Sequence, residues 1–190
     1  MVDVAVQTPW TAEQFLEWVG MQEGRFEFDG VRPVAAAGLS AQHNRISGNI
    51  CMALRGAACA FYGPGLAVRT VGEKVRFPDA LITCTPFPDT ALVAPDVVVV
   101  FEVISPTSEH TDRIEKVREY ALMPSLRRYV IVETAFAGLF VLHREAAHEP
   151  WTATTLTGED TLDLPEVSFR IPVSEFYEDA AFVPPISEAS

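Results

Sequence analysis

Cysteine is scarce: Cys51, Cys59 and Cys84 are the whole supply in a chain of 190 residues. They form no CxxC pair and have no histidine at ligand spacing, which excludes a zinc ribbon, and we read them as small apolar residues with reduced thiols. Positive charge is scarce too, with 14 Lys and Arg against 26 Asp and Glu and a net charge of -12. That excludes a broadly basic surface for non-specific capture of duplex nucleic acid, though not a local Arg/Lys groove. No apolar run approaches the ~18–20 residues of a bilayer span, and the strongest, Val97 to Phe101, is closed by Asp96 and Glu102. Met1 to Trp10 has neither the basic start nor the apolar centre of a secretory leader. The expectation is a cytoplasmic chain with no membrane partner. Repeats and low-complexity tracts are lacking.

What is present is apolar residue in quantity, 48% of the chain, enough for one sizeable core at a length that suits a single domain. We therefore expect one domain over 1–190, with its core at about 11–180 and a tail frayed from Pro184. Thr11 and Gln14 have capping-box spacing, and Phe15, Trp18 and Val19 share one face of a short helix from about Thr11 to Met21. Arg25–Phe28 and Val31–Ala35 flank Asp29-Gly30 as a hairpin that carries Glu27 on a strand. Ser40 caps a second helix, whose apolar spacing runs through Ile46, Ile50, Ala53, Leu54, Ala57 and Phe61 until Gly63-Pro64-Gly65. Short strands follow at Leu66–Thr70, Glu73–Arg76 and Ala80–Cys84, then a Pro-rich loop to Pro95. Val97–Ile104 reads as a central strand covered on both faces. Beyond Ser105-Pro106, Ile114, Val117 and Ala121 mark the buried stripe of a helix over Thr111–Leu122. Tyr129–Val132, Gly138–His143, Trp151–Leu156 and Leu162–Leu164 return to strand patterns, and Val173–Tyr177 forms a last helical turn.

Glu102 is the anomaly. A carboxylate inside an apolar strand costs several kcal/mol to desolvate unless it is paired, protonated or bound to a cation. It is either half of an ion pair with an arginine of the following helix or a metal ligand. Asp96, six positions earlier on the same strand, is about 20 Å away at ~3.3 Å per residue and belongs to a turn. Asp79 comes from a different strand and can lie beside it.

The segments Arg25-Phe26-Glu27-Phe28-Asp29-Gly30, Val75-Arg76-Phe77-Pro78-Asp79, Phe101-Glu102-Val103-Ile104-Ser105-Pro106-Thr107-Ser108 and Asp112-Arg113-Ile114-Glu115-Lys116 with Tyr120 resemble the Uma2 family of bacterial restriction-endonuclease-like proteins, over about residues 11–180. The resemblance implies an α/β fold of the mixed α+β kind, a restriction-endonuclease-like central mixed β-sheet flanked by helices, within the PD-(D/E)xK nuclease superfamily. It also implies Mg²⁺ or Mn²⁺ held by Glu27, Asp79 and Glu102, an oxygen-only donor set that suits a hard cation. Ile104 stands where that superfamily carries its catalytic lysine. Lys116 of the next helix is the replacement the resemblance suggests, beside the plainer reading of an exposed lysine paired with Glu119 or Asp112. The implied catalytic group is then Asp79, Glu102 and Lys116, and the implied reaction is hydrolysis of DNA phosphodiesters by a homodimer.

His43 is either a local capping partner or a contact to phosphate or a site carboxylate. Arg113 and Arg118 are either phosphate contacts or i,i+4 partners of neighbouring acids. Arg127, Arg128 and Arg144 are the remaining basic candidates. Ser105 and Ser108 read as helix caps, and His110, His143 and His148 take no role. The competing function is a catalytically inactive module that keeps the fold for binding or assembly and uses the carboxylates as a structural ion site.

Overall fold

The structure is a computed structural model that describes residues 9–36, 39–104 and 110–182. Ser105, Ser108 and the tail from Pro184 lie outside the described residues. At its centre is β7 (Val97–Val103), and the apolar run that predicted it leaves nearly every residue buried. Alternation along the strand divides its side chains between two cores. Val99, Phe101 and Val103 join one apolar cluster, while Val100 and Ile104 join another on the opposite face.

β7 pairs antiparallel with β6 (Ala80–Thr83) and parallel with β8 (Arg128–Val132). A parallel neighbour needs a crossover, and α3 (Lys116–Ala121) supplies it after a π-helical turn at Thr111–Glu115. With β3 (Ala60–Tyr62), β9 (Gly138–His143) and β10 (Thr152–Thr157), these strands form a six-stranded mixed sheet in the order β10-β9-β8-β7-β6-β3. One face is covered by α2 (Ala41–Ala53) and by the C-terminal hairpin of β11 (Thr161–Leu164) and β12 (Phe169–Pro172) with the helical turn Val173–Tyr177. Tyr120 of α3 and Leu126 pack on the other.

A smaller antiparallel sheet, β2-β1-β5-β4, is built from β1 (Phe26–Phe28), β2 (Pro33–Ala35), β4 (Val68–Arg69) and β5 (Val75–Arg76). α1 (Ala12–Val19) packs on it through Ala12 and Phe15, and the ring of Phe15 stacks on Phe28 at 5.2 Å. The capping box of Thr11 and Gln14 is formed.

Three expectations need correction. The second helix does not run to Phe61. It ends at Ala53, tightens into a 3₁₀ turn over Leu54–Gly56, and leaves Phe61 in β3. In that turn Gly56 packs against the ring of Phe169 so closely that a β-carbon there would lie 2.6 Å from it. The cysteines are not all reduced: Cys59 and Cys84, just beyond the Ala60↔Thr83 pair of β3 and β6, form a disulfide, and only Cys51 is free. The crossover helix also buries an unexpected stripe. Ile114 is 41% exposed, whereas Asp112, Lys116, Glu119 and Tyr120 are buried. No helix among the described residues is long and apolar enough to cross a membrane.

Candidate active site

Strand pairing brings the first two acids together. Ala80 stands opposite Phe101 in the β6–β7 register, so Asp79, one step further, faces Glu102 across the strands. The pairing continues past the formal strand end: Asp79 N–H donates to Phe101 O at 3.1 Å, and Val103 N–H donates to Asp79 Oδ2 at 2.8 Å. The same Oδ2 lies 3.2 Å from His43 Nε2. Asp79 Oδ1 is buried and has no hydrogen-bond partner.

Glu102 falls on the face of β7 that looks toward α3. Its Oε1 accepts from Lys116 Nζ at 2.9 Å and from the Tyr120 hydroxyl at 3.0 Å. Lys116 Nζ also lies 3.1 Å from Glu27 Oε1 and 3.0 Å from Asp112 Oδ1. The partner of Glu102 is thus a lysine rather than an arginine. Lys116 does pair with Asp112, one of its two expected partners, but within the protein and not on an exposed helix face.

Glu119, the other expected partner, faces elsewhere. It takes Arg76 Nε at 2.8 Å, Arg76 Nη2 at 2.6 Å and Lys74 Nζ at 2.8 Å. Arg76 reaches from the same guanidinium to Glu27 Oε2 at 2.9 Å, tying β1, β5 and α3 into one network. Glu27, Asp79, Glu102, His43, Asp112, Lys116 and Arg76 all line one cavity of about 340 Å³.

The electrostatics follow from burial. Desolvation pushes the Glu102 carboxyl well above the usual carboxylate range, and Asp112, Asp79 and Glu27 push the same way against the opposing pull of Lys116. For Lys116 burial alone would favour the neutral amine, but Glu102, Glu27 and Asp112 outweigh it and hold the ammonium above its ordinary value. Burial and then the charge of Glu102 raise the Tyr120 phenol well above its normal value, so it stays a donor. Glu119 is likewise penalised by burial, yet Arg76 and Lys74 bring it below normal. Glu27, Glu102, Asp112 and Glu119 share the cations Lys74, Arg76 and Lys116, whereas Asp79 meets His43.

The donor chemistry suits a hard divalent cation in two respects, oxygen ligands and an unpartnered Asp79 oxygen inside the protein. Among the described residues, however, no three His, Cys, Asp or Glu side chains converge as a ready coordination shell. The Lys116 ammonium stands between Glu27, Glu102 and Asp112 instead.

Of the other candidates, His43 combines both of its expected roles in part. Its backbone N–H donates to the Ser40 cap at 3.1 Å, while its ring touches Asp79 and, at 3.4 Å, Ser47 Oγ. Arg113 pairs with Glu133 and is not among the residues lining the cavity. Arg128 binds Glu166 at 2.8 Å, Arg127 hydrogen-bonds main-chain carbonyls, and Arg144 is enclosed by carbonyls and the Trp151 ring. Asp96 lies in a bend before β7, with φ of 41° and an exposed hydrogen bond from Thr85.

Sequence reasoning gave no role to Arg76 or Tyr120 and only a pairing role to Glu119 and Asp112. The available signal was the spacing of Asp112, Lys116, Glu119 and Tyr120, which is the i, i+4, i+7, i+8 pattern of a buried helix face written in polar residues.

A mixed six-stranded sheet with helices on its faces and acids gathered at one end of its central hairpin defines a nuclease-like α+β fold. A solved structure of similar architecture is that of a "putative nuclease belonging to DUF820" from Anabaena variabilis ATCC 29413. It superposes with a TM-score of 0.64 and 14% identity over 90% of this chain and 98% of that one. The sequence pattern of Uma2, described as "Putative restriction endonuclease", matches residues 12–174, and the chain belongs to that family. Uncharacterized protein slr1290 of Synechocystis sp. (strain ATCC 27184 / PCC 6803 / Kazusa) is 28% identical over 177 residues, spanning 90% of this chain and 92% of that protein.

Proposed function

We propose that the protein is a metal-dependent endonuclease that hydrolyses phosphodiester bonds of DNA. The observation that carries this reading is a lysine enclosed by three acidic side chains at the wall of an open cavity. Asp79 and Glu102, with Glu27, would hold Mg²⁺ or Mn²⁺. When bound, such an ion offsets charge on the phosphate and acidifies a water.

The protein's own groups divide the remaining work. His43 and the Val103 amide fix Asp79 through Oδ2, which leaves Oδ1 for a ligand. Tyr120 orients Glu102. Lys116 is held charged by its three acids, so it serves as a positive donor to the phosphate in the transition state and not as the general base. A cytoplasmic homodimer belongs to the same reading, and sedimentation at micromolar concentration tests the dimer.

A second reading has one specific observation in its favour. Lys116 already occupies the acid cluster as an internal counter-ion, which is what a catalytically inactive binding module would retain. Calorimetry with Mn²⁺ on wild type and Asp79→Ala, followed by plasmid nicking, separates the two. The nuclease reading expects Mn²⁺ binding that Asp79→Ala abolishes, and nicking that Glu102→Gln and Lys116→Met each lower by at least about a hundredfold. Mn²⁺ binding without cleavage of any DNA would leave the module standing.

A further inference from the structure

A second cavity, of about 280 Å³, opens beside the first and shares Arg25, Glu27, Ala36 and Phe77 with it. Its character is different. Val19, Phe26, Pro64 and Phe77 supply apolar walls, and Gly24 and Gly65 complete them without side chains. Both glycines have positive φ, 116° and 109°, a conformation that admits few other residues and leaves open backbone at the wall. The two phenylalanines are half-buried and braced from behind: Phe26 meets Trp18 edge-on at 4.9 Å, and Phe77 leans on Phe15 at 6.3 Å. They are rigid aromatic surfaces, not loose side chains.

Arg25 lines both cavities. It is exposed, and its guanidinium has no hydrogen bond or ion pair among the described residues. It follows Gly24 directly and precedes Phe26 and Glu27, so one short segment supplies a wall of the apolar cavity, an acid of the proposed metal site and an unpaired cation between them.

We propose that the second cavity is a slot for one unstacked nucleobase of the strand being cut, with Arg25 on the phosphate that joins that nucleotide to the scissile one. The inference rests on the nuclease reading and narrows its substrate. A neutral heterocycle with a π face suits apolar and aromatic walls beside a carboxylate, whereas a second charged group would not. The acidic chain has little general attraction for duplex, so affinity has to come from such local contacts. A base must leave the stack to enter a side cavity, which favours single-stranded or distorted DNA over regular duplex.

The test is fluorescence anisotropy with Ca²⁺ in place of Mn²⁺, using three labelled probes of equal length: oligothymidylate, its duplex with oligoadenylate, and an all-abasic strand. Oligothymidylate should bind about tenfold more tightly than either of the others. Filling the slot by Val19→Trp, or from the opposite wall by Pro64→Trp, should erase that preference while the heat of Mn²⁺ binding is unchanged. Thermal unfolding of both variants shows that the fold persists in at least one. Arg25→Gln should weaken all three probes alike.

Equal binding of the three probes by wild type, together with Mn²⁺-dependent cleavage, would remove the base slot and leave the nuclease. A preference that survives both tryptophan variants would also overturn the slot. Failure to bind or cut any probe would remove both readings.

Discussion

The two faces of β7 are built from adjacent residues of one strand and have opposite characters. Val99, Phe101 and Val103 enter a largely apolar core under α2 and the C-terminal hairpin. On the reverse face Val100 and Ile104 are apolar, but Glu102 between them is tied to Lys116 and Tyr120 and, through Lys116, to Glu27 and Asp112. The difference teaches where stability and chemistry reside. The first face gains free energy from area removed from water, at roughly 25 cal/mol per Å². The second accepts the desolvation of many charges and recovers it only while every partner is in place.

The first way to break the comparison is to damage the dry face. Phe101→Ala should lower unfolding free energy by about 3–5 kcal/mol in urea titration, since the ring is fully buried in its apolar cluster.

Next comes the charged face. Lys116→Met should cost about 3 kcal/mol at neutral pH, because three carboxylates lose their shared cation. That cost should shrink on acidification as the acids take up protons. A loss independent of pH would mean that the lysine matters for its packing and not its charge.

The smallest effect should have the opposite sign. Glu102→Gln should raise stability by about 1 kcal/mol in metal-free buffer above the ordinary carboxylate range. The sign follows from linkage. The folded carboxyl holds its proton to higher pH than the unfolded one, so the wild type loses stability as pH rises through the interval between them. The amide has no such loss, and the two proteins should converge at low pH. A Gln variant less stable than wild type at neutral pH would show that Glu102 is a net contributor to the fold.

The sequence exposed the two faces unequally. β7 was legible because its β-branched run is too short for a helix, and Glu102 was legible because a charge there breaks the pattern. The hairpin around Asp29-Gly30 and the cap at Ser40 were legible from local chemistry. The polar stripe of α3 was hidden, because apolar periodicity pointed to Ile114 and Val117 while the buried face was charged. The overrun of α2 has a similar origin: Ala57 and Phe61 continue a spacing of three and four, but Phe61 is taken up by the pairing of β3 with β6, a long-range contact. The gathering of Glu27, Asp79, Glu102 and Lys116 around one cavity came from family resemblance. Its supporting residues, Arg76 and Tyr120, depend on pairings between distant segments that no local signal records.

The Cys59–Cys84 bond, whose ends stand 25 positions apart in the sequence, closes a loop that contains β4, β5, Arg76 and Asp79. Thiol reagents in a purification buffer would therefore act on the tether of the segment that carries Arg76 and Asp79, lifting a constraint worth about 3 kcal/mol for a loop of this length. Preparations handled with and without reductant are, for this molecule, two different samples.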